Sequence, residues 1–326
     1  MQEVYKNIYM KELALPNNPL RALNFYAVKG EDRSMIIDTG FNTEETKQEI
    51  LEVFRALDLK PEKTILFLTH LHSDHTGLAA YFQDLGLEIY MSDKDGTLMN
   101  NSVAHDNPRW EHIVEFGRMQ GLHVDKLEIA DHPGFKFRPS APVRFKSAVP
   151  GEFLSVGEYN FEIVDLRGHT PGIVGLYERD HKILFCGDHI LAKITPNITF
   201  WGFEYGDILG TYLDSLAKTY DMDIDHLFSS HRYLVDDHRK RIDELYAHHE
   251  HRLAEARDIL ARANRTTVRD VARQLQWDIR SRGWDDFPAS QKWFAVGEAH
   301  SHLEHLRAIG DAQMEEEDGI LYYKSV

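Results

Sequence analysis

The stretch that decides the fold reads Thr69-His70-Leu71-His72-Ser73-Asp74-His75-Thr76-Gly77, with four metal-ligand side chains in six consecutive positions. It follows the apolar run at 64–68 and precedes residues 78–85, which have helical character. His70 and His72 are two positions apart, so in an extended chain both side chains leave the same side of the backbone. The turn that follows lets Asp74 and His75 face a second point nearby. The sequence therefore predicts a loop, at the end of a strand, that can serve two adjacent cations.

Three further strand-like runs also end in residues that can bind metals. In chain order these ends read Gly168-His169-Thr170-Pro171-Gly172, then Gly187-Asp188-His189, then Ser229-Ser230-His231. Functional residues commonly lie on loops that a rigid sheet holds in place. We therefore expect His169, Asp188 and His231 to complete the ligand set that begins in the first loop.

The order of these motifs resembles the metallo-β-lactamase-fold hydrolase superfamily, and within it a glyoxalase II-like branch with a C-terminal helical tail. The resemblance covers about residues 4–235 and lies in the motifs His-x-His-x-Asp-His, Gly-His-Thr-Pro-Gly, Gly-Asp and a last His. It implies an α/β fold in which two mixed sheets lie between layers of helices, an αββα sandwich. It implies a first metal bound by His70, His72 and His169. It implies a second metal bound by Asp74, His75 and His231, with Asp188 as the bridging ligand.

The chemistry of this ligand set agrees with the resemblance. Imidazole and carboxylate ligands suit zinc, which can keep one coordination position open for water. Two divalent ions with two carboxylates and one shared hydroxide leave a formal charge of about +1, which favours a carboxylate, a polarised carbonyl or a phosphate in the substrate. Iron or manganese can occupy the same ligands, because selectivity comes from geometry and supply. The sequence therefore predicts two divalent metal ions, with zinc preferred.

The predicted function is metal-dependent hydrolysis of a small acyl compound, such as a thioester, lactone or ester. A hydroxide that bridges the metals would attack the carbonyl carbon, with Asp74 and Asp188 as the catalytic carboxylates that orient it. The alternative is a sulfur dioxygenase on the same scaffold, which would use one iron and a persulfide. All seven ligand positions carry the expected residue types, which favours the dinuclear hydrolase. A catalytically silent binding protein is disfavoured, because loss of activity usually erases ligands first.

The composition indicates the cellular compartment and the class of substrate. The chain has 326 residues and a formal net charge of −16, and this length can bury a sizeable core. The first residues lack the apolar segment of a secretory signal, and no apolar run approaches the ~18 residues that span a bilayer. The single cysteine, Cys186, excludes an internal disulfide, fits a reducing compartment and is predicted to be a buried, inert thiol. We therefore expect a cytoplasmic enzyme that acts on a small molecule and not at a membrane.

The N-terminal residues predict three strands followed by a helix. Strand-like runs cover residues 4–13, 23–28 and 35–38. Asn42 is the predicted N-cap of the helix, with Glu45 three residues later, and Pro61 is predicted to close it. Asp38, at the end of the third run, either supports the metal loop or is an ordinary turn aspartate.

Two segments are candidates for walls of a substrate pocket. Residues 95–147 lose the strand pattern, and residues 109–120 within them are predicted to form a helix. This insertion either forms a wall of the substrate pocket or only packs against the rest of the fold. The second segment, residues 194–212, is rich in aromatic side chains, which include Phe200, Trp201, Phe203 and Tyr205.

A change of composition near residues 235–237 predicts two domains, a catalytic domain at 1–237 and a smaller domain at 238–326. Predicted helices at 239–263, 267–275 and 294–309 are followed by a hairpin with an acidic turn. This pattern resembles a winged helix, a fold that often binds DNA. From residue 239 on, however, 14 Lys and Arg stand against 16 Asp and Glu, whereas phosphate contacts need an excess of cations. We therefore expect pocket closure or a homodimer contact, and not a nucleic-acid partner.

Several of the 19 histidines lie outside the ligand set. Two charged helical stretches carry six of them, which we predict to face solvent or an interface: His248, His249, His251, His300, His302 and His305. His189 adjoins the predicted bridging ligand, and it either supports the site or faces the substrate.

Overall fold

A computed structural model describes residues 1–16, 18–103, 109–279 and 281–326. The strands of these residues are β1 (Gln2–Tyr5), β2 (Ile8–Ala14), β3 (Ala22–Val28), β4 (Ser34–Ile37), β5 (Thr64–Phe67), β6 (Glu88–Met91), β7 (Lys146–Ser147), β8 (Phe153–Val156), β9 (Tyr159–Asp165), β10 (Val174–Glu178), β11 (Ile183–Gly187), β12 (His226–Ser229), β13 (Thr266–Thr267), β14 (Ala312–Glu317) and β15 (Ile320–Ser325). The α-helices are α1 (Glu44–Leu57), α2 (Ser73–Thr76), α3 (Ala79–Asp84), α4 (Asp93–Val103), α5 (Arg109–Met119), α6 (Pro133–Lys136), α7 (Ile208–Tyr220), α8 (His238–Arg262), α9 (Val268–Ala272) and α10 (Ala289–Ala308).

Two large sheets form the centre of the fold. The first has seven strands in the order β1-β2-β3-β4-β5-β6-β7, and the second has five in the order β12-β11-β10-β9-β8. In the first sheet, β1 to β4 pair antiparallel and β4 to β7 pair parallel. In the second, β11 and β12 pair parallel and the other neighbours antiparallel. Both sheets are mixed, as predicted.

The two sheets pack face to face, and helices cover their outer faces. Phe67 of β5 and Phe185 of β11 share one buried cluster between the sheets. On the outer face of the first sheet, Leu66 shares a cluster with Ile50 of α1 and Phe82 of α3. The cluster on the other outer face joins β11, α7, α8 and α10 through Leu184, Leu216, Leu245 and Val296. This arrangement is the predicted αββα sandwich.

The central strands are buried along their whole length. This is so for β4, β5, β10 and β11. Strands that are covered on both faces have nearly continuous apolar sequences, because neither face meets water. The predicted ligand loops follow the carboxyl ends of β5, β9, β11 and β12. The packing of the two sheets therefore brings these loops together at one edge of the sandwich.

Two elements near the N-terminus differ from the predicted ones. The predicted run 4–13 is a hairpin of two strands, and Asn7 adopts φ +56° in the turn between them. Helix α1 begins after Thr43, whose Oγ1 accepts a hydrogen bond from Thr46 N at 3.2 Å. The prediction of Asn42 as the N-cap is therefore wrong by one residue. Thr43 is the better cap here because its hydroxyl satisfies a backbone N–H that the helix itself leaves unpaired.

Two other helix ends also differ from the predicted positions. Helix α1 ends at Leu57, because Asp58 adopts the left-handed conformation at φ +55° that ends many helices. Pro61 therefore does not close this helix. Helix α10 begins at Ala289, directly after Pro288, and so starts five residues before the predicted residue 294.

The C-terminal residues form the predicted three helices and hairpin. The elements follow in the order α8, β13, α9, α10, β14, β15, and the small sheet has the order β13-β15-β14. Arg118 of α5 donates a hydrogen bond to the carbonyl of Asp318 at the tip of the hairpin, at 3.4 Å. The hairpin therefore packs on the insertion. The division into domains at residue 237 stays a prediction; α8 begins there, with Asp237 as its N-cap.

Candidate metal centre

Three predicted ligands meet at one point, and we name His70, His72 and His169 the first half-site. His72 Nδ1 lies 3.1 Å from His70 Nε2 and 3.0 Å from His169 Nε2. The other ring nitrogens of His70 and His169 are engaged elsewhere. His70 Nδ1 lies 3.0 Å from Thr69 Oγ1, and His169 Nδ1 donates a hydrogen bond to Asn197 O at 2.8 Å. The donated proton leaves the Nε2 lone pair of His169 directed at the shared point.

A second group of predicted ligands, the second half-site, consists of Asp74, His75 and His231. Asp74 Oδ2 lies 3.6 Å from His231 Nε2 and 3.9 Å from His75 Nε2. His75 Nδ1 donates to Asp38 Oδ2 at 2.7 Å, and His231 Nδ1 donates to Ala22 O at 2.8 Å. Both donations leave the Nε2 atoms as acceptors that face the same space.

Asp188 lies between the two half-sites. Its Oδ2 is 3.6 Å from His169 Nε2, whereas its Oδ1 is 3.2 Å from His231 Nε2 and 3.6 Å from His75 Nε2. One carboxylate oxygen therefore faces each half-site, which is the arrangement that a bridging ligand requires.

These atoms fit metal ions on two grounds. His75 Nε2, His231 Nε2 and Asp188 Oδ1 are buried and have no hydrogen-bond partner among the residues that the structure describes. Unpaired buried polar atoms are costly and therefore rare, so a cluster of them points to a ligand that they share. Two ligands each at about 2.0–2.2 Å from a tetrahedral zinc lie about 3.3–3.6 Å apart, and the ligand distances given above scatter around that range.

The first half-site is uncharged at neutral pH. Burial, reinforced by the neighbouring imidazoles, holds the pKa values of His70 and His72 well below their usual range. Burial also lowers the pKa of His169. Neutral imidazoles are the form that binds metals, so these three rings can act as ligands without first losing a proton.

In the second half-site the histidine pKa values are raised and not lowered. Burial alone would lower the pKa of His75, but the carboxylates of Asp38, Asp188 and Asp74 outweigh it and raise that pKa well above its usual range. Asp188 likewise raises the pKa of His231 against the effect of burial. A metal at this half-site must therefore compete with protons.

Asp38 supports the metal loop, one of the two roles that its sequence position allowed. Its Oδ1 accepts a hydrogen bond from Thr69 N at 2.9 Å, while Oδ2 accepts from His75 Nδ1. Both side chains are buried, at 2% exposure or less. Partners of this kind fix the orientation of a ligand ring and the nitrogen that carries its proton.

Asp95 also supports the site, and the sequence reasoning missed this residue. Its Oδ2 accepts hydrogen bonds from Leu71 N at 3.0 Å and from Thr170 Oγ1 at 2.6 Å, so it joins two ligand-bearing loops. Burial raises the pKa of Asp95 to about 6, although these hydrogen bonds act in the opposite direction. A signal was available, because Asp95 follows β6 at the sheet edge that carries the other site residues.

The aromatic segment that was predicted as a pocket wall reaches the first half-site through Trp201. The Trp201 and His72 rings stack with centroids 5.9 Å apart, and Trp201 Nε1 donates to His169 O at 3.3 Å. The guanidinium carbon of Arg109 lies 6.0 Å from the Trp201 ring centre. Aromatic and cationic side chains of two predicted wall segments thus lie side by side next to the metal ligands.

Other predicted residues are not members of the two half-sites. His189 is buried, and its Nε2 lies 3.0 Å from Thr219 Oγ1 of α7; burial lowers its pKa to about 3. Its Nε2 atom therefore faces helix α7. Cys186 is buried, as predicted, and burial raises the pKa of its thiol to about 12, which disfavours the reactive thiolate. Six C-terminal histidines were predicted to face solvent or an interface, and helix packing buries three of them, namely His249, His300 and His302. The solvent-facing alternative is therefore wrong for these three.

Comparison with known proteins agrees with this geometry. A family model described as the metallo-beta-lactamase superfamily matches residues 19–231. The chain is 32% identical over 193 residues to a hydroxyacylglutathione hydrolase of Haemophilus influenzae, covering 59% of this chain and 77% of that protein. It is 24% identical over 177 residues to an acyl-coenzyme A thioesterase of Gallus gallus, covering 51% of this chain and 56% of that protein. A crystal structure of a metallo-beta-lactamase family protein from Thermus thermophilus is similar with a TM-score of 0.81 and 22% identity, covering 98% of this chain and 99% of that one. The chain therefore belongs to the metallo-beta-lactamase superfamily and is a metallo-hydrolase.

Proposed function

We propose that the protein hydrolyses thioesters of small acyl groups, with a zinc ion in each half-site. The observation that carries this proposal is the position of Asp188, with one oxygen toward each half-site. A centre of this kind suits two metals rather than one. The choice of thioester rests on two relatives, one of them named as a thioesterase and the other as a hydrolase of hydroxyacylglutathione, which is itself a thioester.

The residues of the two half-sites would hold the ions, with Asp188 shared between them. When bound, such ions polarise a carbonyl oxygen and supply a hydroxide at neutral pH. The side chains of the protein orient the metal ligands and the attacking water. Asp38 and Asp95 hold the ligand-bearing loops, while the carboxylates of Asp74 and Asp188 can accept hydrogen bonds from the attacking water and so orient it.

Two side chains beside the first half-site, Trp201 and Arg109, suit a thioester whose thiol portion is negatively charged. Trp201 offers an apolar ring next to His72, and Arg109 adds a positive charge beside that ring. The charge of Arg109 also acts on the neighbouring Tyr205 and Asp95. An apolar surface favours the acyl group, whereas a guanidinium favours the carboxylates or phosphates of a carrier. The chain charge of −16 disfavours a polyanionic polymer as the substrate.

A side-by-side substrate screen tests the proposal. Zinc-loaded and iron-loaded enzyme would be assayed with glutathione and coenzyme A thioesters, lactones, β-lactams, phosphodiesters and glutathione persulfide. We expect thiol release from thioesters by the zinc enzyme, with about two ions per chain. Asp188→Asn is the control, because it keeps the side-chain shape but weakens the shared ligand. Oxygen consumption with persulfide and no acyl hydrolysis would overturn the proposal in favour of the mononuclear dioxygenase.

A further inference from the structure

The loop at residues 197–201 contacts two of the three ligands in the first half-site. Asn197 O accepts the hydrogen bond from His169 Nδ1 at 2.8 Å. Trp201 Nε1 donates to His169 O at 3.3 Å, and the Trp201 ring stacks on His72. The orientation of both ligand rings therefore depends on where this loop lies.

The loop has no regular secondary structure, and α10 holds it in place. Phe200 N donates to Gly297 O at 3.0 Å, and Ser301 Oγ donates to Ile198 O. A Cβ atom on Gly297 would lie only 1.9 Å from Thr199 Oγ1 and 3.2 Å from Thr199 Cβ, so a larger residue at position 297 would require the Thr199 side chain or the loop to shift.

The side chain of Asn197 makes the most direct link between α10 and the site. Asn197 Nδ2 donates to Glu298 Oε2 at 2.7 Å and is 3.4 Å from Phe294 O. Glu298 is 6% exposed. Burial would raise the pKa of Glu298, but neighbouring groups, His248 first and then His302 and Arg252, outweigh it and lower the pKa to about 2. The carboxylate is therefore ionised, and it is a strong acceptor for the amide of Asn197.

We propose that Glu298 is a positioning residue for the first half-site, acting through Asn197 on His169. Glu298 holds the Asn197 side chain, and the Asn197 carbonyl holds the His169 ring with Nε2 toward the metal position. A ligand histidine is usually oriented in this way by a partner at its other ring nitrogen. Helix α10 lies outside residues 19–231, which match the superfamily. The C-terminal segment would therefore support the metal centre from outside the residues that match the superfamily model.

Metal binding by the full-length protein tests this inference. Zinc affinity would be measured by competition with a chelator for Glu298→Ala and Asn197→Ala, with cobalt absorption spectra as a report on ligand geometry. We expect one of two ions to bind about 10- to 100-fold more weakly, with an altered cobalt spectrum and the other ion little changed. Circular dichroism would establish that each variant is folded.

Glu304→Ala is the matched control, because Glu304 is also a buried glutamate of α10. Its carboxylate accepts hydrogen bonds from Tyr323 and Arg307, and within the described part of the chain it makes none with the loop at 197–201. A general loss of stability in the C-terminal segment would affect this variant as well. Equal zinc affinities and cobalt spectra for Glu298→Ala and Glu304→Ala would overturn the inference.

Two further variants separate positioning from packing. Glu298→Gln keeps an oxygen that can accept from Asn197 Nδ2, so it should recover most of the zinc affinity that Glu298→Ala loses. The double variant Asn197→Ala/Glu298→Ala should bind zinc about as well as either single variant, because the two residues act in one path. Additive losses, or no recovery with glutamine, would contradict the inference. The readout is metal binding, so it stands apart from whether thioesters are the substrates.

Discussion

Asp38 Oδ2 accepts a hydrogen bond from His75 Nδ1 at 2.7 Å, while Asp38 Oδ1 accepts from Thr69 N at 2.9 Å. Both carboxylate oxygens are therefore used as acceptors by neighbouring donors. An asparagine offers one oxygen and one donor group, so it can satisfy only one of these two contacts. The pair Asp38 and His75 thus depends on a carboxylate and not merely on a polar side chain.

Asp38→Asn should weaken metal binding at the second half-site. We expect about a 10- to 100-fold loss of metal affinity or activity, because the partner that orients His75 is lost. Chelator competition with the purified variant measures this loss. Unchanged affinity in a folded Asp38→Asn protein would show that the loop is held by other contacts. Thr43→Ala, a helix-cap change at α1, is a control for effects on stability alone.

Arg109→Met should reduce recognition of anionic thioesters more than catalysis. The change keeps a long side chain beside Trp201 but removes the charge. We expect KM for glutathione or coenzyme A thioesters to rise about 10- to 100-fold, in line with the loss of one or two charge-assisted contacts, with a smaller change in kcat. An uncharged thioester is the control, and its KM should change little. Equal effects on both substrates would assign Arg109 a structural role.

Stability should fall at acidic pH in part through His300. This side chain is fully buried between Gln120 and Tyr323, and burial, followed by the charge of Arg307, lowers its pKa to about 3. The unfolded chain has a histidine pKa of about 6.5 and so binds more protons than the folded chain below that pH. The contribution of His300 is therefore complete above about pH 6.5 and is lost as the pH falls toward 3.

Denaturant unfolding at several pH values between 7.5 and 4.5 measures this contribution. The free energy of unfolding of metal-free protein should fall more steeply with decreasing pH than that of His300→Gln, by up to about 1.4 kcal/mol per pH unit. Metal-free samples are needed because metal release also depends on pH. Parallel curves for the two proteins would contradict the buried, neutral state of His300.

Truncation after Asp237 should disrupt the fold beyond the removed residues. Leu184 of β11 and Leu216 of α7 share a buried cluster with Leu245 and Val296 of the C-terminal helices. Removal of those helices exposes a large apolar surface, which favours aggregation. We expect insoluble or aggregated protein by size-exclusion chromatography. A soluble truncated protein with unchanged kinetics would establish the C-terminal segment as an independent appendage.

The local chemistry of the site could be predicted because each ligand directly follows an apolar strand. The histidines and aspartates of the first loop, and His169, Asp188 and His231 after later strands, are recognisable without any distant contact. The predicted helix at 239–263 is also correct to within one residue at each end. Such properties belong to short segments, and short segments can be read from sequence.

Contacts between distant residues could not be predicted in this way. Asn197 and Glu298 are 101 positions apart, and Asp95 and Thr170 are 75 apart, yet each pair forms a hydrogen bond. Neither Asn197 nor Asp95 stands in a distinctive motif. Likewise, the six histidines that were predicted to face solvent or an interface look alike in a charged sequence, and only helix packing separates buried His302 from exposed His251.

The sequence by itself therefore determined the ligand types, the strands that carry them and the α/β class of the fold. These follow from side-chain chemistry and from apolar periodicity, which are local. Only the tertiary structure decided that the two oxygens of Asp188 face different half-sites, and that α10 reaches the first of them through Asn197. Those relationships depend on how sheets and helices pack, because packing sets the distances between side chains that the chain itself keeps far apart.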